Sequence, residues 1–331
     1  MELYVLWIVV FFALSFDFIN GFHDTANAIA TSVSTRALKP RVAVLLAAVM
    51  NFVGAITFTG VAKTIGGGVA NPADLEFGVE IVIAALLSAI AWNLITWWFG
   101  IPSSSSHALI GALAGGVIAG AGLDAINASG FTNIMKALLL SPIIAFTIGF
   151  LLMWLLKKIF AKSSPHSINK GFRAGQVVTA MFQSFSHGTN DAQKAMGIIV
   201  FALVAAGVQD NMDVPLWVKI SAAVAMALGT SMGGWKIIKT MGTKIFKIEP
   251  INGFAADIGS AVVILTATMI HLPVSTTHVI TSSILGVGSA KRFSAVRWGV
   301  AGRILIAWFI TIPITALLAM LFFWIIKMLF L

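Results

Sequence analysis

The 331-residue chain contains no cysteine, and only 10% of its residues are charged. The first absence excludes disulfides, thiol chemistry and cysteine-ligated metals. The second excludes an ordinary soluble domain, in which about a quarter of the residues carry charge. A structural metal is not expected either, because no histidines show a ligand spacing such as H-E-x-x-H. The formal net charge of +9 comes from short loops between apolar segments, so it does not indicate a nucleic-acid partner.

Hydrophobic residues make up 59% of the chain and occur in runs of about 20, the length that spans a ~30 Å hydrocarbon core as a helix. Lipid offers the backbone no hydrogen-bond partner, so these runs must be helical. The sequence therefore predicts an all-α polytopic protein of the lipid bilayer. The apolar runs cover 4–30, 42–62, 79–99, 101–121, 132–156, 176–206, 217–234, 254–271, 272–290 and 304–326.

The loops between these runs differ in charge, and this predicts their side of the membrane. Lys and Arg concentrate near 36–41, 157–175, 236–247 and 291–303, whereas the other loops are poor in basic residues. Cytoplasmic loops carry an excess of Lys and Arg. We therefore expect a multi-pass protein of the cell membrane with both termini extracellular. Loop charge leaves open whether 79–121 and 254–290 are each two full spans or one re-entrant hairpin.

Two polar segments recur in the same order in both halves of the chain. G-F-H-D-T-A-N-A at 21–28 aligns with G-T-N-D-A-Q-K-A at 188–195, and P-S-S-S-S-H at 102–107 aligns with P-V-S-T-T-H at 273–278. Because loop charge gives the halves opposite orientations, the pattern is typical of inverted-repeat transporters, whose broken helices meet near the midplane. We divide the chain into a first repeat (1–156), a cytoplasmic linker (157–175) and a second repeat (176–331).

Four aspartates lie inside apolar runs, where a carboxylate costs about 2.5–3.5 kcal/mol on insertion scales. Asp24 and Asp191 match each other across the repeat, which favours a functional role for both. Asp17 and Asp257 lack such a match, so for these two both a function and simple pairing inside the bundle stay open.

The two hydroxyl-rich segments each follow a proline, Pro102 or Pro273. Proline suits the first turn of a helix, so each segment is predicted to open a half-helix. A helix start collects free N–H groups, hydroxyl donors and the positive end of a dipole, which together form an anion site. We interpret His107 and His278 as structural donors. Lys194 either pairs with Asp191 on one helix face or meets the anion.

With these paired motifs, and H-G-T-N-D-A at 187–192, the chain resembles the PiT family of inorganic phosphate transporters over essentially its whole length. The likeness is greatest to the short bacterial members described as low-affinity transporters. The resemblance implies symport of phosphate with H⁺ or Na⁺, in some members as a neutral metal–phosphate complex, and no further cofactor. The family motif is usually G-A-N-D, and Phe22-His23 departs from it, which leaves the coupling ion open. Sulfate or another oxyanion is the alternative substrate, and self-association into a homo-oligomer is left open.

Charge divides the candidate site residues into two sets. Carboxylates repel phosphate, so we expect Asp24 and Asp191 to hold the coupling cation, together with Asn27 and His23. An intramembrane hydrolase is not the preferred interpretation, because adjacent helical residues point about 100° apart and a serine beside a histidine does not face it. A channel is not the preferred interpretation either. The set assigned to phosphate consists of Ser104, Ser105, Ser106, Ser275, Thr276, Thr277 and Asn190.

Overall fold

The structure is a computed structural model that describes residues 3–330, and every regular element in that range is helical. The apolar segments leave the backbone no other way to pair its polar groups in lipid. Within residues 3–330 the thirteen α-helices are α1 (Leu3–Ser34), α2 (Pro40–Ala55), α3 (Gly60–Gly68), α4 (Gly78–Phe99), α5 (Ser105–Ala121), α6 (Ala128–Ile159), α7 (Pro165–Asp191), α8 (Gln193–Ala205), α9 (Leu216–Met232), α10 (Trp235–Lys239), α11 (Pro250–Met269), α12 (Thr276–Arg292) and α13 (Trp298–Phe330).

Five of the described helices, α1, α4, α6, α11 and α13, are long and apolar enough to cross a membrane. The number rises to seven if two bent pairs each form one span. These pairs are α2 with the segment 60–74, bent by 73°, and α9 with the segment 235–244, bent by 62°. Large apolar side chains on α6 and α13, such as Ile143, Leu151, Phe309 and Leu317, are exposed to the surroundings. The predicted all-α polytopic class is therefore confirmed.

The predicted run 176–206 divides into α7 and α8 directly after Asp191. The side chain of Gln193 gives the physical reason. Its Nε2 donates to the backbone oxygen of Thr189, and its Oε1 accepts from the backbone N–H of Ala62 at 3.1 Å. A side chain that enters the i→i−4 ladder interrupts a helix. In contrast, α1 carries the first copy of the motif without a break.

The segment predicted as a linker, 157–175, is mostly helical. Helix α6 ends at Ile159 and α7 begins at Pro165, so only 160–164 separates them. Ser164 is the N-cap of α7, and its side-chain oxygen accepts from the backbone N–H of Ser167 at 3.3 Å. A serine cap followed by proline at the first helical position is a strong helix start.

Helix α1 lies at the centre of the bundle and packs against helices from both halves of the chain, including α2, α4, α7, α8, α9 and α11. Two crossings bring backbones into direct contact. Gly21 of α1 faces Gly229 of α9, and Gly188 of α7 faces α2 at Asn51 and Gly54. A Cβ at any of these glycines would overlap the opposite backbone. Gly21 and Gly188 begin the two motif copies, so the crossings fix both copies against helices of the other half.

Candidate functional site

The hydroxyl segments open helices as predicted, but the prolines lie before the helices rather than in their first turns. Helix α5 begins at Ser105 and α12 at Thr276, each after an extended residue. Ser104 and Ser275 are the N-caps, whose side-chain oxygens accept from the backbone N–H three positions later, at 3.0 and 3.2 Å. One cap satisfies one first-turn donor, so the earlier N–H groups of both helices keep no intrahelical acceptor.

Asp24 lies where these two helix starts converge. Its Oδ2 accepts from the hydroxyl of Ser105 at 3.1 Å, and its Oδ1 accepts from the hydroxyl of Thr277 at 3.3 Å. Nδ1 of His23 lies 2.7 Å from Oδ1, while Nε2 of the same ring lies 3.1 Å from the hydroxyl of Thr96. One buried carboxylate is therefore bonded to the start of α5, the start of α12 and its neighbouring imidazole.

Asp191 is buried beside Asp24 and has a different set of partners. Nζ of Lys194 lies 2.9 Å from its Oδ1, while Nε2 of His187 and Nδ2 of Asn20 each lie 3.3 Å from its Oδ2. Nζ of Lys194 also donates to the hydroxyl of Ser105 at 2.8 Å. The lysine thus pairs with Asp191 and at the same time contacts a residue of the predicted phosphate set.

Three ligand atoms, one each from Asp24, His187 and Asp191, lie within 4.8 Å of one another. The orientation of His187 follows from Asn51, whose Nδ2 donates to the hydroxyl of Thr230 at 3.0 Å. Oδ1 of Asn51 therefore faces Nδ1 of His187, at 3.1 Å, and Nδ1 is the donor of that contact. This leaves Nε2 of the ring directed at the carboxylates, 3.3 Å from Oδ2 of Asp191. Two carboxylates and one imidazole nitrogen are a ligand set that suits a small cation.

The two asparagines of the motif contact the start of α12 in different ways. Nδ2 of Asn27 donates to the hydroxyls of Thr276 at 3.3 Å and Thr277 at 2.9 Å, while its Oδ1 is buried without a partner among residues 3–330. Oδ1 of Asn190 accepts from the backbone N–H of Val274 at 3.3 Å. Its Nδ2 donates to the hydroxyl of Thr268 near the end of α11 at 3.0 Å and to the backbone oxygen of Leu272 at 3.3 Å. Asn190 therefore holds the connection between α11 and α12 in place, whereas Oδ1 of Asn27 remains without a donor within the described chain.

The seven residues of the phosphate set are brought together, but their hydroxyls are not equivalent. Ser104 and Ser275 cap their helices, and Ser106 donates to the backbone oxygen of Val274 at 2.9 Å. The other three hydroxyls face the Asp24 carboxylate or the amide of Asn27. These three, at the centre of the site, belong to Ser105, Thr276 and Thr277.

Two further aspartates are buried along α1 and its neighbours. Asp257 of α11 accepts from the hydroxyls of Thr31 at 2.6 Å and Thr179 at 3.0 Å, so it is paired inside the bundle. Both carboxylate oxygens of Asp17 lack a partner in the described part of the chain. Asp17 and Thr31 lie two helical turns before and after Asp24, which places Asp24 in the middle of a buried polar line.

The imidazoles of His107 and His278 pack the two helix starts against each other. Their ring centroids lie 4.3 Å apart, and His278 stacks on Trp308 at 3.7 Å. Nδ1 of His107 lies 2.8 Å from the hydroxyl of Ser104, the N-cap of its own helix. These contacts support the structural interpretation of both histidines.

Three residues of the site were not assigned from the sequence: His187, Asn20 and Thr96. The motif alignment carries a signal for the first two, because each stands four residues before its matched aspartate. In the structure both lie against the same carboxylate, that of Asp191. Thr96 had no such signal, since an isolated threonine in an apolar run usually bonds a backbone carbonyl.

The chain is similar to known proteins over nearly its whole length. Residues 20–319 match the phosphate transporter family. The chain is 61% identical over 324 residues to a probable low-affinity inorganic phosphate transporter of Bacillus subtilis, covering 98% of this chain and 97% of the relative. It is 48% identical over 309 residues to a protein of the same description from Rhizobium meliloti, covering 93% and 92%.

A solved structure described as the sodium-dependent phosphate transporter superposes with a TM-score of 0.86 at 25% sequence identity, covering 99% of this chain and 100% of that chain. The relatives are named as transporters rather than enzymes, and the match spans most of the residues that build the site. The chain therefore belongs to the phosphate transporter family.

Proposed function

We propose that this protein is a secondary active transporter that carries inorganic phosphate across the cell membrane together with Na⁺ or H⁺. One observation carries the proposal: the starts of α5 and α12 converge on two buried carboxylates, Asp24 and Asp191. Helix starts attract anions, whereas carboxylates attract cations. A single buried site thus offers complementary groups to both ligands. The names of the relatives, one of them sodium-dependent, support the same assignment.

Phosphate is received in this proposal by the hydroxyls of Ser105, Thr276 and Thr277 and by the free N–H groups of the same helix turns. These hydroxyls now donate to Asp24 or accept from Asn27 and Lys194, so they can rotate toward an arriving anion. Ser104, Ser106, Ser275 and Asn190 support the site indirectly. They hold the helix starts in place through backbone contacts.

The coupling cation is held by Asp24 and Asp191. Oxygen ligands suit a hard cation, and the unpartnered Oδ1 of Asn27 adds an amide oxygen to the two carboxylates. His187 completes the set with its Nε2. In this proposal His23 orients Asp24 instead of binding the ion, because Nδ1 lies 2.7 Å from the carboxylate and Nε2 contacts Thr96.

Coupling follows from electrostatics at short range. The two aspartates are almost fully buried, so water screens little of the interaction between the bound ions. At an effective dielectric constant of 20, two unit charges 4 Å apart attract by about 4 kcal/mol. Each ligand therefore raises the affinity for the other by the same factor.

Alternating access is attributed to rocking of one repeat unit, 1–156, against the other, 176–331, with one motif copy carried by each unit. The excess of Lys and Arg in four loops favours a topology with both termini outside. The crossings at Gly21 and Gly188 hold each motif copy against a helix of the other half, so movement of the halves would be transmitted to the site.

The proposed function is tested by uptake of labelled phosphate into proteoliposomes that contain the purified protein. An inward Na⁺ gradient and an inward proton gradient are imposed separately. Accumulation above the external concentration with either gradient supports symport and identifies the ion. Equilibration without accumulation under both gradients would contradict coupled transport.

A further inference from the structure

The internal motif alignment places a lysine where the first half of the chain has an amide. Alignment of 21–28 with 188–195 puts Asn27 opposite Lys194, each three residues after its aspartate. We propose that the ammonium group of Lys194 replaces a second coupling cation, so that the site takes up one mobile cation with each phosphate. The inference rests on the proposed function, because it specifies the number of cations in that transport cycle.

The contacts of the two residues correspond as well as their positions do. Nδ2 of Asn27 donates to the hydroxyl of Thr276 at 3.3 Å, and Nζ of Lys194 donates to the hydroxyl of Ser105 at 2.8 Å. Ser105 and Thr276 are themselves aligned, since each is the first residue of its helix. The lysine therefore makes the contact of its counterpart and adds a positive charge to it.

The ammonium group of Lys194 lies between oxygen atoms that could otherwise bind a cation. Nζ of Lys194 lies 2.9 Å from Oδ1 of Asp191 and 2.8 Å from the Ser105 oxygen, a carboxylate and a hydroxyl ligand. Ser105 in turn donates to Asp24. Lys194 is one of the largest fully buried side chains, so water does not share in neutralising Asp191.

The charge balance of the site then predicts the number of mobile cations. Asp24 and Asp191 contribute two carboxylates, and the ammonium group of Lys194 is paired with one of them. An uncompensated charge inside a membrane protein is strongly unfavourable, so the remaining carboxylate recruits one cation. The charge of the phosphate is met separately, by the N–H and hydroxyl donors of the two helix starts. With asparagine at both aligned positions the same carboxylates would recruit two.

The test measures how phosphate affinity depends on cation concentration in detergent-purified protein, by binding of labelled phosphate. The logarithmic slope of affinity against cation concentration counts the cations taken up with phosphate. In one series the Na⁺ concentration is varied at fixed pH, and in a second series the pH is varied at fixed Na⁺ concentration. The pH series is corrected for the ionisation of free phosphate, and the slopes of the two series are added. In the parent, a tenfold dilution of the coupling cation should weaken phosphate binding about tenfold.

Lys194→Asn installs the residue found at the aligned position, and the slope should rise to about two, so the same dilution weakens binding about a hundredfold. Asp191→Asn/Lys194→Asn removes one charge of each sign and should return the slope to about one. Lys63→Asn is the matched control, because Lys63 forms an exposed ion pair with Asp213 away from the site. Its slope should equal that of the parent.

An unchanged slope in Lys194→Asn would overturn the proposal, as would equal slopes in the single and double variants. If Lys194→Asn does not yield monodisperse protein, Asn27→Lys provides the converse test. A second ammonium should lower the slope to near zero, and a parental slope in that variant would contradict the charge balance. Failure of the proposed function would give a different result, which the parent protein alone reveals. Its phosphate binding and uptake would then depend on neither Na⁺ nor H⁺.

Discussion

The hydroxyl of Ser105 donates a hydrogen bond of 3.1 Å to Oδ2 of Asp24. This contact joins a residue assigned to the anion directly to one assigned to the cation. In the proposed transport cycle, phosphate arriving at the start of α5 would redirect the hydroxyl and leave Asp24 with one donor fewer. We expect the carboxylate then to hold a cation more strongly, which would add a local mechanism of coupling to the direct attraction between the ions.

Neutralising either motif aspartate should abolish concentrative uptake. In Asp24→Asn and Asp191→Asn the buried site loses the charge that recruits the cation, while the size of the side chain is preserved. We expect normal membrane insertion and no accumulation of labelled phosphate in proteoliposomes under a cation gradient. Asp213→Asn, an exposed residue paired with Lys63, is the control and should transport normally. Parental accumulation with intact cation dependence in either site variant would remove that residue from the coupling site.

Removing either of two hydroxyls from the helix starts should weaken phosphate binding, and only one of the two changes should also alter the cation dependence. One hydrogen bond to a charged ligand contributes about 1.5–3 kcal/mol, so Thr276→Ala should lower phosphate affinity roughly 10- to 150-fold. Ser105→Ala should lower it by at least as much. It should also change the cation dependence at saturating phosphate, because Ser105 contacts both Asp24 and Lys194.

The control for these alanine variants is Thr147→Ala, since Thr147 is exposed and donates only to a backbone oxygen of its own helix. Phosphate binding is measured directly, at saturating cation and over a cation series. If both site variants bind phosphate as tightly as the parent does, the hydroxyl segments contribute only to helix packing and the anion binds elsewhere.

The crossing of α7 and α2 should not tolerate a side chain at Gly188. A methyl group there would overlap the backbone of Asn51, so the helices must separate. Overpacking of this kind costs about 1–3 kcal/mol, and we expect Gly188→Ala to lower the thermal stability of the purified protein. Gly171→Ala lies in the same helix with open space around the glycine, and it should be neutral or stabilising. Equal melting temperatures for the two variants would show that the crossing is looser than the structure indicates.

Cysteine labelling tests the predicted orientation, since the chain has no cysteine of its own. Ser163 and Asp210 are both exposed and lie in loops predicted to face opposite sides. In intact cells an impermeant thiol reagent should label Asp210→Cys and leave Ser163→Cys unlabelled until the membrane is opened. The reverse pattern would invert the topology and place both termini inside.

The fold class and most of the candidate site residues could be predicted from the sequence alone. Apolar runs with so few charges permit only membrane helices, because lipid offers the backbone no other partner. The matched motif copies pointed to Asp24, Asp191 and the hydroxyl segments. For the aspartates the reason is that a carboxylate in an apolar run is unfavourable unless it has a partner or a function. These signals are local in sequence, so they can be read without knowing which helices are neighbours.

Only the tertiary structure decided which groups share a contact. The sequence left two partners open for Lys194, and packing placed its ammonium between Asp191 and Ser105. His187 reaches Asp191 within one helix turn of α7, whereas Asn20 contacts the same carboxylate from α1, a contact between helices that only their packing creates. The break after Asp191 likewise depends on Gln193 reaching the backbone of Ala62. Such contacts join residues far apart in the chain, and their geometry is set by how closely helices approach, which depends on the whole packed bundle.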